Sequence, residues 1–110
     1  MRQVITCNDN DIETRIKNSP LTIVQFSASR CMPCKMLKPK VENVAAETSD
    51  VTFIYCDIEA TNDFSQKMGI MSVPAMISYH DGEVVSKSVG GDEASVRNLV
   101  ATLRSRATPV

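Results

Sequence analysis

The hydrophobic pattern alternates between strand-like and helix-like segments along the whole chain. Short apolar runs rich in β-branched residues predict five strands, at residues 4–6, 21–27, 51–58, 75–79 and 83–89. Apolar residues at spacings of three and four predict four helices, at residues 9–18, from the Cys31 region to about residue 48, in a short segment capped by Thr61 or Asn62, and from about Asp92. The alternation predicts a single α/β domain over residues 1–110, with a sheet between helices.

Local signals refine this prediction. The second strand is apolar along most of its length, which is typical of a central strand buried on both faces. The helix that follows would join it to the third strand in a right-handed parallel βαβ unit, with a kink at Pro39. Asp81-Gly82 is a strong hairpin turn between the last two strands. The chain is expected to fray from about Ser105 onward.

Charge and composition narrow the function classes. Lys and Arg number 12 against 13 Asp and Glu, a net charge of −1, which does not favour a nucleic-acid partner. A basic cluster of Lys35, Lys38 and Lys40 falls on the second helix and is interpreted as a solvated face. No segment approaches the roughly 20 apolar residues that a membrane helix needs. The N-terminus lacks a signal-peptide pattern, so we expect a cytoplasmic protein away from the membrane.

The candidate chemistry lies in Cys31-Met32-Pro33-Cys34, between the second strand and its following helix. Cysteines three positions apart in a helical turn can bring their sulfurs together in a small disulfide ring. Cys31 would lie at the helix N-terminus, where unpaired N–H groups and the helix dipole favour a thiolate. A thiolate is the species that attacks disulfides. Pro33 suits the first helical turn, where its missing N–H does no harm.

Two cysteines at this spacing are typical either of a redox pair or of half of a metal site. Zinc would need four ligands, and the other candidates are Cys7, Cys56 and His80, with no second Cys-x-x-Cys motif. The strand-to-helix position favours redox chemistry, and we expect no metal and no bound cofactor. Cys56 is expected to pack as a small hydrophobe, and His80 to be an exposed turn residue. Cys7 is expected to be partly exposed, with oxidation or dimer formation as its functional alternative.

The chain resembles the thioredoxin family in several segments that follow in the family's order. The stretch Val24-Gln-Phe-Ser-Ala-Ser-Arg-Cys-Met-Pro-Cys-Lys35 is similar to the family's active-site segment, and Pro39 follows at the matching place. Gly69-Ile-Met-Ser-Val-Pro-Ala75 resembles its loop with a cis proline, here Pro74. Asp81-Gly82-Glu83 matches the hairpin turn, and Val89-Gly90-Gly91 the glycine beside the substrate groove. The resemblance implies the thioredoxin fold, a mixed sheet of about five strands flanked by about four helices.

The resemblance also implies a role for each matching residue. Cys31 would be the attacking nucleophile and Cys34 the resolving thiol. Pro74 would place the Val73 backbone beside Cys31, and a cis bond before proline costs only ~0.5–1 kcal/mol over trans. The redox-tuning positions would be Gln25 and Lys35. The residues that would form the substrate groove are Arg30, Met32, Pro33, Met71, Val73, Pro74, Gly90 and Gly91.

Five positions depart from the family pattern. Gln25 replaces the buried acid that helps move a proton at the resolving thiol, and an amide cannot titrate. Ser27 and Arg30 replace the flanking tryptophans, and Met32 makes the dipeptide Met-Pro rather than Gly-Pro. Tyr55 stands where the family has a lysine near the buried acid. Losing the acid and its cation together avoids an uncompensated buried charge, which indicates a consistent rewiring.

The resulting functional prediction is a protein dithiol–disulfide oxidoreductase that reduces target proteins through a mixed disulfide with Cys31. A thioredoxin-reductase-type flavoprotein would re-reduce it, and the flavin and NADPH would belong to that partner, because this chain has no GxGxxG fingerprint. The chain itself is expected to be monomeric. The alternatives are a thioredoxin-fold binding subunit with little turnover, and an oxidant or isomerase with a less reducing potential.

Overall fold

In the computed structural model, which describes residues 4–107, strands and helices alternate as the hydrophobic pattern predicts. The elements in chain order are β1 (Ile5–Thr6), α1 (Ile12–Lys17), β2 (Leu21–Ser27), α2 (Met32–Ala46), β3 (Thr52–Asp57), α3 (Asn62–Lys67), β4 (Ala75–His80), β5 (Glu83–Val89) and α4 (Glu93–Ala107). The five strands form a mixed sheet with four helices, so the predicted fold class is confirmed.

The sheet has the order β1-β3-β2-β4-β5, which places β2 at its centre. Both β1 and β2 pair parallel with β3, and β4 pairs antiparallel with β2 and with β5. All seven residues of β2 are buried, as predicted for a central strand. The β4–β5 hairpin turns at Asp81 and Gly82, whose φ angles of 50° and 86° give the positive values that a type I′ turn requires.

Two apolar clusters cover the two faces of the sheet, because side chains of β2 alternate between them. Leu21 and Ile23 pack with buried residues of α2 and α4. Val24 and Phe26 pack on the opposite face with α1 and α3, where the rings of Phe26 and Phe64 stack with centroids 5.9 Å apart. The order is therefore helix, sheet, helix, with the chemistry-bearing loop emerging from the central strand.

The last helix corrects one prediction. It continues through Ser105 to Ala107 instead of fraying at Ser105. Leu103 is fully buried, and the Arg104 guanidinium donates to both carboxylate oxygens of Asp50, at 2.6 and 2.8 Å. This bidentate contact attaches the final turn to the segment before β3, which local sequence signals do not reveal.

The short helix α3 corrects another prediction. Thr61 stands at its N-cap position but makes no capping bond, because its hydroxyl donates to the Asp57 carbonyl at 3.0 Å. The caps come from Asp9, whose carboxylate accepts from the backbone N–H groups of Asp63 and Phe64 at 3.1 and 3.0 Å. A residue more than fifty positions away therefore supplies the anion that the helix N-terminus favours. Within residues 4–107, no helix is both long and apolar enough to cross a bilayer.

Candidate active site

Four chain segments meet at one end of the sheet. Ser27, the last residue of β2, pairs with Asp57 at the end of β3, while Phe26 pairs with Ala75 at the start of β4. Ala75 in turn pairs with Val89, the last residue of β5. The loop that carries Cys31 therefore leaves the sheet at the end where β4 begins and β5 finishes.

Cys31 and Cys34 form a disulfide with a Cα–Cα separation of 5.2 Å. Cys31 is the N-cap of α2, with an extended backbone (φ −95°, ψ 103°), and its sulfur accepts from the Cys34 N–H at 3.2 Å. Pro33 lies in the first helical turn, as predicted. The helix then runs through Pro39 as one element of 15 residues. The first turn of α2 thus aims the Cys34 N–H at the Cys31 sulfur, and a donor at a helix N-terminus is the arrangement that stabilises a thiolate.

The two sulfur-bearing residues differ in access. Cys34 is 0% exposed, whereas Cys31 is half-buried and lies at the molecular surface. Only Cys31 can therefore be approached from outside the protein. This asymmetry matches an outer nucleophile and an inner resolving thiol.

The Pro74 loop lies at the same end of the sheet. The Val73–Pro74 peptide bond is cis, as the resemblance implies, and Pro74 is buried. The Gly90 N–H donates to the Pro74 carbonyl at 2.7 Å, which brings the end of β5 onto this loop. Gly90 has a φ of 74°, a left-handed conformation that favours glycine.

Exposed methionines surround this end of the molecule. Met32 is 63% exposed beside Cys31, and Met71 is 96% exposed in the loop before Pro74. A groove of about 230 Å³ next to this loop includes Ile70, Met71 and Val89 among its lining residues. The other predicted groove and tuning residues on the helix side, Arg30, Pro33 and Lys35, are also exposed.

Three of the positions that depart from the family, Gln25, Ser27 and Tyr55, form one connected group. Gln25 and Tyr55 are direct neighbours in the β2–β3 register, so the two changes share one site. The Tyr55 hydroxyl and the Ser27 hydroxyl are hydrogen-bonded at 2.8 Å, and Ser27 is buried. The Lys38 ammonium lies 4.6 Å from the Tyr55 ring centroid, so Lys38 packs on this ring and is not part of a fully solvated face.

Sequence reasoning identified Ser27 and Tyr55 separately but missed their hydrogen bond. The two residues are 28 positions apart, and only the parallel register of β2 and β3 brings them together. The contact of Lys38 with the Tyr55 ring was also missed, because a lysine in a helical pattern has no sequence feature that separates it from an ordinary surface lysine. The predicted parallel pairing of β2 with β3 was the one signal that could have placed Ser27 and Tyr55 side by side.

The remaining cysteines lie away from the disulfide, in the core between the sheet and helices α1 and α3. Cys7 is 3% exposed, so the prediction of partial exposure was wrong, and burial raises the pKa of its thiol. Burial raises the pKa of Cys56 to about 12. His80 is half-buried, not fully exposed, and its Nε2 lies 3.2 Å from the Asp81 carboxylate. Among residues 4–107, no three His, Cys, Asp or Glu side chains are grouped so that they could hold a metal ion.

A disulfide-forming pair with one buried and one accessible cysteine, at the start of a helix, defines a class of dithiol–disulfide redox proteins. Comparison with known proteins makes the assignment specific. The Thioredoxin family model matches residues 3–105. Thioredoxin-2 of Saccharomyces cerevisiae is 35% identical over 82 residues, which are 74% of this chain and 79% of that protein. Thioredoxin of Chlamydia muridarum is 40% identical over 84 residues, 76% of this chain and 82% of that protein.

Solved structures agree with this result. A mutant thioredoxin from Halobacterium salinarum superimposes with a TM-score of 0.85 at 25% identity, covering 98% of this chain and 94% of that one. Spinach chloroplast thioredoxin F has the same fold, with a TM-score of 0.86 at 22% identity, covering 93% and 94% of the two chains. This chain belongs to the thioredoxin family, and its activity is that of a dithiol–disulfide oxidoreductase. The alternative of a thioredoxin-fold binding subunit with little redox turnover is not favoured.

Proposed function

We propose that this chain reduces disulfides in other proteins, with Cys31 as the nucleophile and Cys34 as the resolving thiol. The observation that carries the proposal is the difference in access, because Cys34 is fully buried and Cys31 is at the surface. The Cys31 thiolate attacks one sulfur of the target disulfide and forms a mixed disulfide. The departing target sulfur leaves as a thiolate and takes a proton from solvent.

The second step returns the pair to the state seen in the structure. Cys34 releases its proton to solvent, and its thiolate attacks the Cys31 sulfur of the mixed disulfide. The Cys31–Cys34 bond forms, the bond between Cys31 and the target breaks, and the second target sulfur leaves and is protonated. Two electrons have passed from the chain to the target. A thioredoxin-reductase-type flavoprotein then supplies two electrons that restore the dithiol.

The proposed target groove is the surface around Cys31 and the Pro74 loop. Exposed, polarizable methionines adapt to differently shaped partners, which suits a protein with several targets. Val73 would offer its backbone to an extended target segment. The proposed groove residues are Arg30, Met32, Pro33, Met71, Val73, Pro74 and Gly90.

We propose that the protein works as a monomer in the cytoplasm, without nucleic-acid or membrane partners. The near-neutral charge of −1 supports this for nucleic acid. One relative of this chain, from Schizosaccharomyces pombe, is a mitochondrial thioredoxin, so the compartment needs its own test. Cell fractionation should recover the chain with cytosolic markers, and sedimentation should give the monomer mass. Recovery with mitochondria, or a dimer mass, would contradict this part of the proposal.

The direct test is turnover of insulin disulfides with dithiothreitol as the source of electrons. The wild-type chain should accelerate insulin reduction, and both Cys31→Ser and Cys34→Ser should abolish the acceleration. Cys34→Ser should in addition accumulate a covalent chain–insulin adduct that reductant releases, whereas Cys31→Ser should not. An adduct with Cys31→Ser but not with Cys34→Ser would reverse the assigned roles. A Cys31–Cys34 reduction potential well above that of thioredoxins would instead indicate an oxidant or isomerase.

A further inference from the structure

Gln25 places a polar side chain inside an apolar cluster. It lies on the central strand β2, paired with Tyr55 of β3 on one side and Met76 of β4 on the other. It is 1% exposed, and strand alternation puts its side chain on the same face as Leu21 and Ile23. A carboxamide buried at such a position is unfavourable unless its donors and acceptor are satisfied.

Among the described residues of the oxidised protein, only one end of this carboxamide has a hydrogen-bond partner. Gln25 Nε2 donates to the backbone carbonyl of Cys34 at 3.3 Å. That carbonyl fixes the orientation of the amide, because the flipped side chain would place two acceptor oxygens against each other. Gln25 Oε1 is fully buried and accepts no hydrogen bond from any residue between 4 and 107. An acceptor without a donor is therefore held next to the resolving cysteine.

Reduction of the disulfide creates a donor in the same place. Cys34 is 0% exposed, so its sulfur cannot turn to bulk water when the bond to Cys31 is broken. In the oxidised protein that sulfur carries no hydrogen, and in the dithiol it carries one. The buried thiol then needs a hydrogen-bond acceptor. The Gln25 carboxamide, which already donates to the Cys34 carbonyl, has a free acceptor in Oε1.

We propose that Gln25 is a redox-tuning positioning residue whose Oε1 accepts a hydrogen bond from the Cys34 thiol in the reduced protein. The bond exists in only one of the two redox states, so it shifts the equilibrium between them toward the dithiol. The amide takes no proton in this role. When Cys34 resolves a mixed disulfide, its thiol proton goes to solvent, the hydrogen bond is lost, and Oε1 returns to its unpartnered state. This inference rests on the proposed function of the Cys31–Cys34 pair.

The magnitude follows from the value of one neutral hydrogen bond. Gln25→Leu removes a bond that only the reduced form makes, and removes an unpaired buried oxygen that only the oxidised form contains. Both effects favour the disulfide. The bond from Nε2 to the Cys34 carbonyl is lost from both forms and cancels to first order. A net hydrogen-bond contribution of typical size predicts that the equilibrium constant for reduction falls about fivefold.

Thr22 provides a matched control. It lies on the same strand, is 0% exposed, and its Oγ1 is the other buried side-chain oxygen without a partner among the described residues. Strand alternation puts it on the opposite face of the sheet from Gln25, away from the face that carries α2 and Cys34. Thr22→Val should therefore change the stability of both redox forms equally and leave the redox equilibrium unchanged.

The experiment measures the Cys31–Cys34 equilibrium of the full chain in glutathione buffers, by trapping thiols with a mass label. The original chain, Gln25→Leu, Gln25→Met and Thr22→Val are compared, so that one variant that fails to fold does not end the test. Both Gln25 variants should shift about fivefold toward the disulfide. A shift below about twofold, a shift toward the dithiol, or an equal shift in Thr22→Val would overturn the proposal.

A spectroscopic readout separates a hydrogen bond from a general loss of packing. In the infrared difference spectrum between reduced and oxidised protein, at a pH where both thiols are protonated, the Cys34 S–H band should move to higher frequency in Gln25→Leu. An unmoved band would show that the thiol does not bond to Gln25 and would also overturn the proposal. Failure of the underlying function is distinguishable, since the original chain would then not reduce insulin at all.

Discussion

Removing the Tyr55 hydroxyl tests its hydrogen bond with Ser27 beside the active-site loop. The Ser27 and Tyr55 oxygens are 2.8 Å apart, and the Ser27 hydroxyl is buried while Tyr55 is half-buried. Tyr55→Phe leaves the Ser27 hydroxyl without a partner and without access to water, which costs about 2 kcal/mol of unfolding free energy. Ser27→Ala leaves the Tyr55 hydroxyl able to reach water and should cost only about 0.5–1 kcal/mol.

The double variant Ser27→Ala/Tyr55→Phe measures the energy of the interaction between the two hydroxyls. With both hydroxyls removed, no buried donor or acceptor is left unpaired, so the total loss should be smaller than the sum of the single losses by about 1 kcal/mol or more. The phenyl ring of Tyr55→Phe still lies under Lys38, so the cation–π contact is retained and does not enter the comparison.

Urea unfolding of the oxidised chain, followed by far-ultraviolet circular dichroism, measures all four proteins. Thermal unfolding gives a second measure, at about 4 °C per kcal/mol for a domain of this size. Equal losses for Tyr55→Phe and Ser27→Ala would refute the reasoning, because the asymmetry follows directly from the difference in burial. Additive losses would show that the two hydroxyls do not interact.

Three further outcomes are expected. Burial raises the pKa of Cys56 to about 12, so iodoacetamide at pH 8 should label this thiol only after the protein unfolds. Mass spectrometry of native and denatured samples measures the labelling, and rapid labelling of the native protein would contradict the burial of Cys56. The hydrogen bond from Arg104 lowers the pKa of Asp50 in the folded protein. The Asp50–Arg104 contact therefore stabilises the fold above the pKa of unfolded Asp, near 3.9, and this contribution is lost as pH falls through the lower pKa of the folded state. Both side chains are about half exposed, so Asp50→Asn should cost less than about 1 kcal/mol at pH 7. The cost should shrink as pH falls below about 3.9, and a loss that does not change with pH would exclude a charge effect. Arg30→Ala should reduce the thiolate fraction of Cys31 at a given pH, seen as a pH-dependent fall in its alkylation rate, and an unchanged titration would refute a role for this charge.

The strong local signals predicted most of the fold. The apolar run of β2, the Asp81-Gly82 turn and the cysteine pair at a strand-to-helix junction each depend on residues close in sequence, and each has its predicted place. The cis bond before Pro74 was predicted from the family resemblance, because periodicity carries no information about peptide-bond isomers.

The errors share one physical cause, which is that the deciding contact is distant in sequence. Asp9, not Thr61, caps α3, and Arg104 binds Asp50 to continue the last helix past the expected end. Cys7 follows β1, whose register beside β3 places this residue in the core with Cys56. Composition and periodicity describe each segment alone and cannot say which other segment it will meet.

The central position of β2 has a consequence for how the active site behaves in time. This strand is hydrogen-bonded on both sides and ends four residues before Cys31. Backbone amides in such a strand exchange with deuterium mainly when the whole domain opens, whereas loops and edge strands open locally and often. Strand β2, from which the loop with Cys31 emerges, should therefore be in the slowest-exchanging part of the molecule. Local opening events at the rim of the sheet should leave the sulfur geometry intact, so heat should abolish turnover only as the domain unfolds globally.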